Sequence, residues 1–365
     1  MQLYPALITD ALQTVRYPGN GKNLVEAGMV EDDIRIDGDS VSFSLVFDKP
    51  TDPFIKSMAK AAETAIHTYI SPEVKVTVNV ASRQPAAPKD APVLPGVKNI
   101  IGVSSGKGGV GKSTVASNLA VALAQEGYKV GLLDADIFGP SMPKMFGIED
   151  EQLYIHEVDG RQLIIPQERY GVKLLSIGFV VDKEKAVLWR GSMASNALKQ
   201  LITDADWGDL DYFLIDMPPG TSDIHLTLVQ TLPITGVVVV TTPQEVALAD
   251  ARKGIAMFRE DKVNVPILGL VENMAWFTPA EHPDERYYIF GREGGVRLAE
   301  KLGVRLLAQI PLVASIADCG DNGTPIALDG SVTAQAFAHL AREVSDVVAE
   351  RNRELPPTHK VELKH

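Results

Sequence analysis

The sequence predicts an α/β protein: a mostly parallel, doubly wound sheet covered by helices, with a small α/β domain ahead of it. Three observations predict this. From Asn99 onward, short runs rich in Val, Ile and Leu alternate with amphipathic segments, the pattern of strands buried on both faces of a parallel sheet. A glycine-rich stretch, "GKGGVGKST" from Gly106 to Thr114, joins the first of those runs to a helical pattern. Residues 81–98 carry Pro85, Pro88, Pro92 and Pro95, which remove backbone donors and favour the extended geometry of a linker.

Residues 1–80 open with a helix around Pro5–Val15, followed by the strand patterns "IRIDG" and "VSFSLVF". A second helix over Pro53–Tyr69 leads into "EVKVTVNV", whose apolar residues recur with period two. Past the linker, over 99–350, the strands are "NIIGVSS", "KVGLLDAD", "VKLLSIGF", "YFLIDM", "GVVVVTTP", "PILGLVEN" and "LLAQIP". Val115, Leu119 and Leu123 recur at helical spacing after the glycine stretch, and further helices span Gln244–Glu260 and Gly291–Leu302. Residues 351–365, "RNRELPPTHKVELKH", are polar and broken by prolines, and read as a flexible tail.

The formal net charge of −12 argues against nucleic acid as a partner, because neutralising phosphates takes clustered Lys and Arg. Cys319 is the single cysteine; one thiol cannot build an intramolecular disulfide framework, which points to a reducing cytoplasm. The start, "MQLYPALITDALQTV", lacks the basic flank and continuous apolar stretch of a signal peptide. No apolar run approaches the roughly 18 residues of a membrane span. The expectation is a cytoplasmic protein with no membrane partner.

Gly106 to Ser113 satisfy G-x-x-x-x-G-K-[ST] in full, after an apolar strand and before a helix. In such a loop the backbone N–H groups of Gly106, Lys107, Gly108, Gly109, Val110 and Gly111 turn toward phosphate oxygens, and the helix N-terminus adds positive potential. Lys112 is expected on the β- and γ-phosphates, Ser113 on Mg²⁺, and Thr114 near the α-phosphate. "YFLIDMPPGTSD" puts Asp216 at a strand end, where a carboxylate holds the magnesium shell. "VGLLDADIFGPS" offers Asp134 and Asp136; a carboxylate there orients or deprotonates the attacking water, and Asp136, further toward the loop, is favoured. The alternative for this pair, weighed mainly for Asp134, is capping of the "GPSMP" turn. No [NT]-K-x-D element follows, so ATP is expected over GTP. Asn273, in "VENM", is either an adenine reader or a turn-forming residue.

Lys107 is a second lysine in the loop. It cannot share the phosphates of Lys112 without crowding like charges. Two readings stand: a solvated loop lysine, or a cation lent to a nucleotide in a facing subunit, as an arginine finger is.

"KGGVGKST", "DADIFGPS" and "DMPPGTSD" together resemble the deviant Walker-A ATPases related to nitrogenase iron protein and the Min/Par ATPases. The closer resemblance is to the Mrp/ApbC branch, ATPases regarded as iron–sulfur cluster carriers. "LWRGSMASNALKQL", "VENMAWF", "YYIFGREGG" and "LLAQIPL" carry that likeness from Asn99 to Ala349, and residues 1–80 are similar to an iron–sulfur-assembly-associated domain. The resemblance implies an ATPase that forms a homodimer across ATP, with Lys107 acting in trans. It also implies iron–sulfur assembly proteins or apo-protein clients as partners, and an iron–sulfur cluster as possible cargo. A Min/Par-like positioning ATPase is the alternative. The family pattern has a Cys-x-x-Cys pair between "ENM" and "YIFG"; here Ala275 to Tyr287 hold no cysteine. Soft thiolates are the usual ligands of such clusters. Glu281, His282, Asp284 and Glu285 are either divalent-metal ligands or a solvated loop. Cys319 reads as a small packed residue, and "KPTDPF" presents Thr51 and Asp52 where the small domain often has a cysteine.

Overall fold

The computed structural model describes residues 3–361 apart from 32, 49–51, 84–92, 138, 159, 180–190, 280 and 283–284. The chain divides into two units, Met1–Ala91 and Pro92–His365. In the first, helix α1 (Pro5–Leu12) precedes strands β1 (Arg35–Asp37) and β2 (Ser40–Phe47), which pair antiparallel. Helix α2 (Ile55–Tyr69) then crosses to β3 (Lys75–Ser82), parallel to β2, as a parallel pair requires. Val41, Phe43, Leu45 and Phe47 share one face of β2 by strand alternation. They pack with Ile8 and Leu12 of α1 and with Met58, Ala62 and Ile66 of α2, spaced by helical turns. Thr51 lies outside the described residues. Asp52 accepts hydrogen bonds from the Phe54 N–H (2.8 Å) and the Tyr17 hydroxyl.

The expected linker is shorter at both ends than 81–98. Ala81 and Ser82 still pair with Val46 and Phe47, and Val97 already pairs with Leu210, because those residues retain the N–H donors that ladders need. The stretch 84–92 lies outside the described residues.

In the second unit β4 (Val97–Ser105) leads through the glycine loop into α3 (Lys112–Gln125) and β5 (Val130–Asp134). A short α4 (Met142–Met145) follows, then an antiparallel ribbon, β6 (Tyr154–Val158) with β7 (Arg161–Ile165). Next come β8 (Gln167–Arg169), β9 (Val172–Ser176), α5 (Gly191–Thr203), β10 (Leu210–Asp216), α6 (Asp223–Thr231), β11 (Gly236–Thr241) and α7 (Glu245–Arg259). The rest is β12 (Ile267–Glu272), α8 (Gly294–Leu302), β13 (Leu306–Gln309), α9 (Ala314–Asp321) and α10 (Val332–Glu354).

Among the described residues the main sheet runs β13-β12-β11-β4-β10-β5-β9-β8, parallel except for the edge strand β8. Its central strands are buried on both faces, whereas the edge strand β8 is largely exposed. Val115, Leu119 and Leu123 of α3 and Phe337, Leu340 and Val344 of α10 cover one face. Leu198, Leu228, Ile255 and Leu298, from α5 to α8, cover the other. The connection after β4 reaches β5, whereas the chain leaving β10 passes β4 to reach β11. The carboxyl ends of β4, β5 and β10 thus converge where the winding reverses, the usual place for a ligand crevice.

The segment expected as a flexible tail makes specific contacts over its described part. Helix α10 continues to Glu354, and the following segment docks through side chain and backbone. Thr358 Oγ1 donates to Pro233 O (3.0 Å) and the Val361 N–H to Val229 O (3.0 Å). Pro356 and Pro357 end the helix without preventing this docking. Among the described residues no helix is long and apolar enough to cross a membrane.

Candidate functional site

The loop from Gly106 to Thr114 sits between β4 and α3, and two of its glycines are required by sterics. A Cβ on Gly106 would stand 2.1 Å from the Asp250 carbonyl carbon of α7. Gly111 has φ +78°, where side chains are strained, and its Cβ would meet Asn273 Nδ2 at 2.2 Å. The loop therefore presses against α7 on one side and the end of β12 on the other.

Lys112 is the first residue of α3 and is only 6% exposed. Its ammonium donates to Asp216 Oδ1 at 2.5 Å and to Ser113 Oγ at 3.3 Å, and lies 3.8 Å from Asp136 Oδ2. Ser113 Oγ donates to the other Asp216 oxygen at 2.6 Å. Four side chains expected from sequence, on three separate elements, are thus brought to one point. Lys107 stands apart from them: half-buried, with its carbonyl accepting from Ser105 Oγ at 2.9 Å, and with no ion pair to its ammonium among the described residues.

The two aspartates at the end of β5, Asp134 within it and Asp136 just beyond, take different roles. Asp134 is fully buried and accepts from the Asp136, Ser141 and Met142 N–H groups (3.2, 3.1 and 3.1 Å) and from Ser176 Oγ (2.9 Å). It is the cap of the following turn. Burial, reinforced by the Asp216 charge, pushes its carboxyl up to about 7. Burial raises Asp216 also, opposed by the Lys112 ammonium and the Ser113 hydroxyl.

Asn273, expected either to read adenine or to form a turn, follows β12 and lies against the loop. Its Nδ2 donates to Val110 O at 2.8 Å and the residue is buried, so its amide holds the loop in shape. Sequence reasoning missed His225, buried at the third position of α6. Its Nδ1 accepts from the Ser222 N–H at 3.1 Å in a capping box. Serine three residues ahead was the available signal, but that motif ordinarily ends in Glu or Gln. Burial pushes His225 down to about 4, with the Lys112 charge a further cause. The Gly220 N–H of the "PPG" turn donates to Ser105 O at 2.9 Å, tying the β10 loop to β4.

The oxygen donors fit magnesium: a serine hydroxyl and a carboxylate beside a phosphate loop are hard ligands, and Mg²⁺ usually completes its shell with phosphate and water. Thiolate ligation of a cluster fits poorly. Cys319 sits half-buried on α9, and burial pushes its thiol up, away from the thiolate. No group of three or more His, Cys, Asp or Glu residues suited to a metal occurs among the described residues. Asp284, part of the expected polar cluster, lies outside them. Among its companions, His282 Nδ1 lies 3.7 Å from Glu285 Oε1, with both side chains exposed.

A glycine loop opening a helix, its lysine on a strand-end carboxylate and a doubly wound parallel sheet together define a P-loop NTPase. Residues 96–345 match the family described as NUBPL iron-transfer P-loop NTPase, and residues 6–80 match an iron–sulfur cluster assembly protein family. The chain belongs to the NUBPL iron-transfer P-loop NTPase family. It is 43% identical over 350 residues to an iron–sulfur cluster carrier protein from Synechocystis, covering 94% of this chain and 98% of that protein. It is 50% identical over 254 residues to an Arabidopsis thaliana iron–sulfur protein required for mitochondrial NADH dehydrogenase, covering 69% of this chain and 79% of that one. A solved nucleotide-binding protein from Archaeoglobus fulgidus, in complex with ADP, aligns with TM-score 0.54 and 38% identity over 63% of this chain and 88% of its own. The septum site-determining protein MinD from Pyrococcus horikoshii, complexed with Mg-ADP, aligns with TM-score 0.51 at 24% identity over 70% of this chain and 99% of that one, and shares the fold.

Proposed function

We propose that the protein binds and hydrolyses ATP in the cytoplasm as a homodimer, and that it works in iron–sulfur cluster assembly or transfer with clients that bring the thiols. The observation carrying the nucleotide half is the convergence of Lys112, Ser113, Asp136 and Asp216 at the loop. The named activity of the relatives carries the other half. The backbone from Gly106 to Thr114 cradles the phosphates. Lys112 moves its charge from Asp216 to the β- and γ-oxygens. Ser113, with Asp216 behind it, would hold magnesium, which would supply positive charge to the phosphate oxygens. Asp136 orients the attacking water and takes its proton. Lys107, half-buried and without an ion pair among the described residues, lends its cation to the facing subunit. Residues 1–80 and 99–350 are the working domains, with neither nucleic acid nor membrane as partner.

The test joins hydrolysis to iron. Lys112→Ala is expected to abolish nucleotide binding, whereas Lys107→Ala keeps binding and lowers turnover; equal loss of binding in both rejects the role in trans. After anaerobic reconstitution with iron and sulfide, the chain alone is expected to retain no stable cluster. With a cluster-loaded scaffold and a thiol-bearing apo-client present, ATP is expected to speed transfer. Transfer that proceeds equally fast with the Lys112→Ala protein overturns the assembly role.

A further inference from the structure

Away from the phosphate loop, a cavity of about 410 Å³ opens between the last turn of α6, the 261–266 connection and the docked segment after α10. Its size is that of a small-molecule site. Leu232, Val263, Val265, Pro357 and Val361 give it an apolar side. Lys262 and Lys360 also line it beside the His359 ring, with Asp261 as the opposing charge. A local excess of cations runs against the net charge of −12 on the whole chain.

Arg351 is the decisive residue. It lines the cavity and is only 9% exposed. Nη1 donates to Asn352 Oδ1 at 3.1 Å and Nη2 to Pro356 O at 2.7 Å. Its Nε is buried with no hydrogen-bond partner, and no carboxylate lies within ion-pair distance among the described residues. A guanidinium in the last turn of a helix gains from the helix dipole, and the Pro356 contact ties the following segment to that turn. Those gains leave an uncompensated buried cation and an orphaned donor, both of which cost stability. Burial also lowers the pKa of the group. A planar, anionic, bidentate acceptor would remedy both deficits at once.

We propose that this cavity binds a carboxylate on a small apolar body, with Arg351 holding the carboxylate and the 263–265 wall holding the body. The shared chemistry belongs equally to a free organic acid and to a protein chain terminus ending in an apolar residue.

Isothermal titration of the full chain tests it, with sodium octanoate and N-acetyl-leucine as probes for the two sources, and 1-octanol and inorganic phosphate as controls. At least one carboxylate is expected to bind with 1:1 stoichiometry. Both controls are expected to bind at least about tenfold more weakly, since each lacks one half of the recognition. The tighter carboxylate identifies the source. Arg351→Gln is expected to weaken the tighter carboxylate by about tenfold or more, the scale of a lost charged hydrogen bond. Pro357→Trp, at an exposed lining position, is expected to block the cavity if Arg351→Gln does not fold. Failure of both carboxylates at millimolar concentration overturns the proposal. So does equal binding of 1-octanol or phosphate, or unchanged carboxylate binding in both variants.

Discussion

Asp134 and His225 are buried beside the phosphate loop and titrate out of their ordinary ranges in opposite directions. Burial raises Asp134 to about 7 and lowers His225 to about 4. Between those values the folded chain holds a proton on Asp134 that the unfolded chain has released, so this residue makes stability fall as pH rises. The folded chain also lacks a proton that unfolded His225 carries up to about 6.5, so His225 makes stability rise with pH over the same window. Each slope approaches about 1.4 kcal/mol per pH unit, and opposed slopes of that size nearly cancel. Replacing one partner unmasks the other. His225→Gln, which retains an acceptor for the Ser222 N–H, is expected to become relatively more stable than the parent as pH drops from 6.5 to 4. Urea unfolding across that range measures it; a stability difference independent of pH refutes the pairing. Asp134→Asn is expected to tilt the profile the other way, beneath a constant loss from its severed turn contacts.

At the scale of elements, the loop holds its shape by contact with α7 and the end of β12 rather than by its own bonds. Gly106→Ala would drive a Cβ into the Asp250 backbone, which no rotamer change can relieve. A shift of either element must follow, at a cost of about 1–3 kcal/mol, the range of overpacked sites. Nucleotide affinity is expected to fall at least tenfold while far-ultraviolet circular dichroism stays unchanged; parental affinity would show that α7 yields instead. The loop itself was legible in the sequence, because glycines, lysine and serine at fixed spacing leave few other readings. The strands were legible too, since sides buried against helices demand unbroken Val, Ile and Leu. What escaped notice depends on contacts distant in sequence. For Asp134 the sequence already offered capping of the "GPSMP" turn, and the bonds from Ser141 and Met142, with Ser176 added from 42 residues away, decide for it. Asn273 meets Val110 across 163 residues of chain, a register that no local pattern carries. The ribbon from Tyr154 to Ile165 keeps Tyr154 and Ile155 exposed in succession, so it lacks the alternation that announces a strand. The segment after Glu354 reads as loose because Pro356 and Pro357 break every period. An irregular chain can nonetheless dock, given a Thr358 hydroxyl and a Val361 amide within reach of free carbonyls.

At the scale of the whole molecule, the question is whether one chain suffices for hydrolysis. Lys107 is a half-buried cation on the loop, and among the described residues no carboxylate claims its ammonium. Lys112 already occupies the position between Asp216 and Asp136, so a second lysine turned inward would repel it. An assembly in which two loops face each other resolves the crowding by sending each Lys107 across the interface. Mixing two crippled chains tests that geometry without a structure of the complex. Lys107→Ala keeps its own water-orienting carboxylate but lends no cation, whereas Asp136→Asn lends the cation but has lost that carboxylate. Neither homodimer should turn over well. In an equimolar mixture that exchanges freely, half the dimers pair the two chains, and each mixed dimer has one complete site. Turnover is then expected to reach about a quarter of the parental value per chain, as symmetric two-fold assembly and a finger acting in trans require. A lysine acting within its own chain predicts no more than the mean of the two variants, because the sites never complete each other. The rate should also fall faster than linearly on dilution below the dimerisation constant. A mixture that stays at the mean while subunit exchange is demonstrated by fluorescence transfer would place Lys107 in cis or leave it a solvated loop residue.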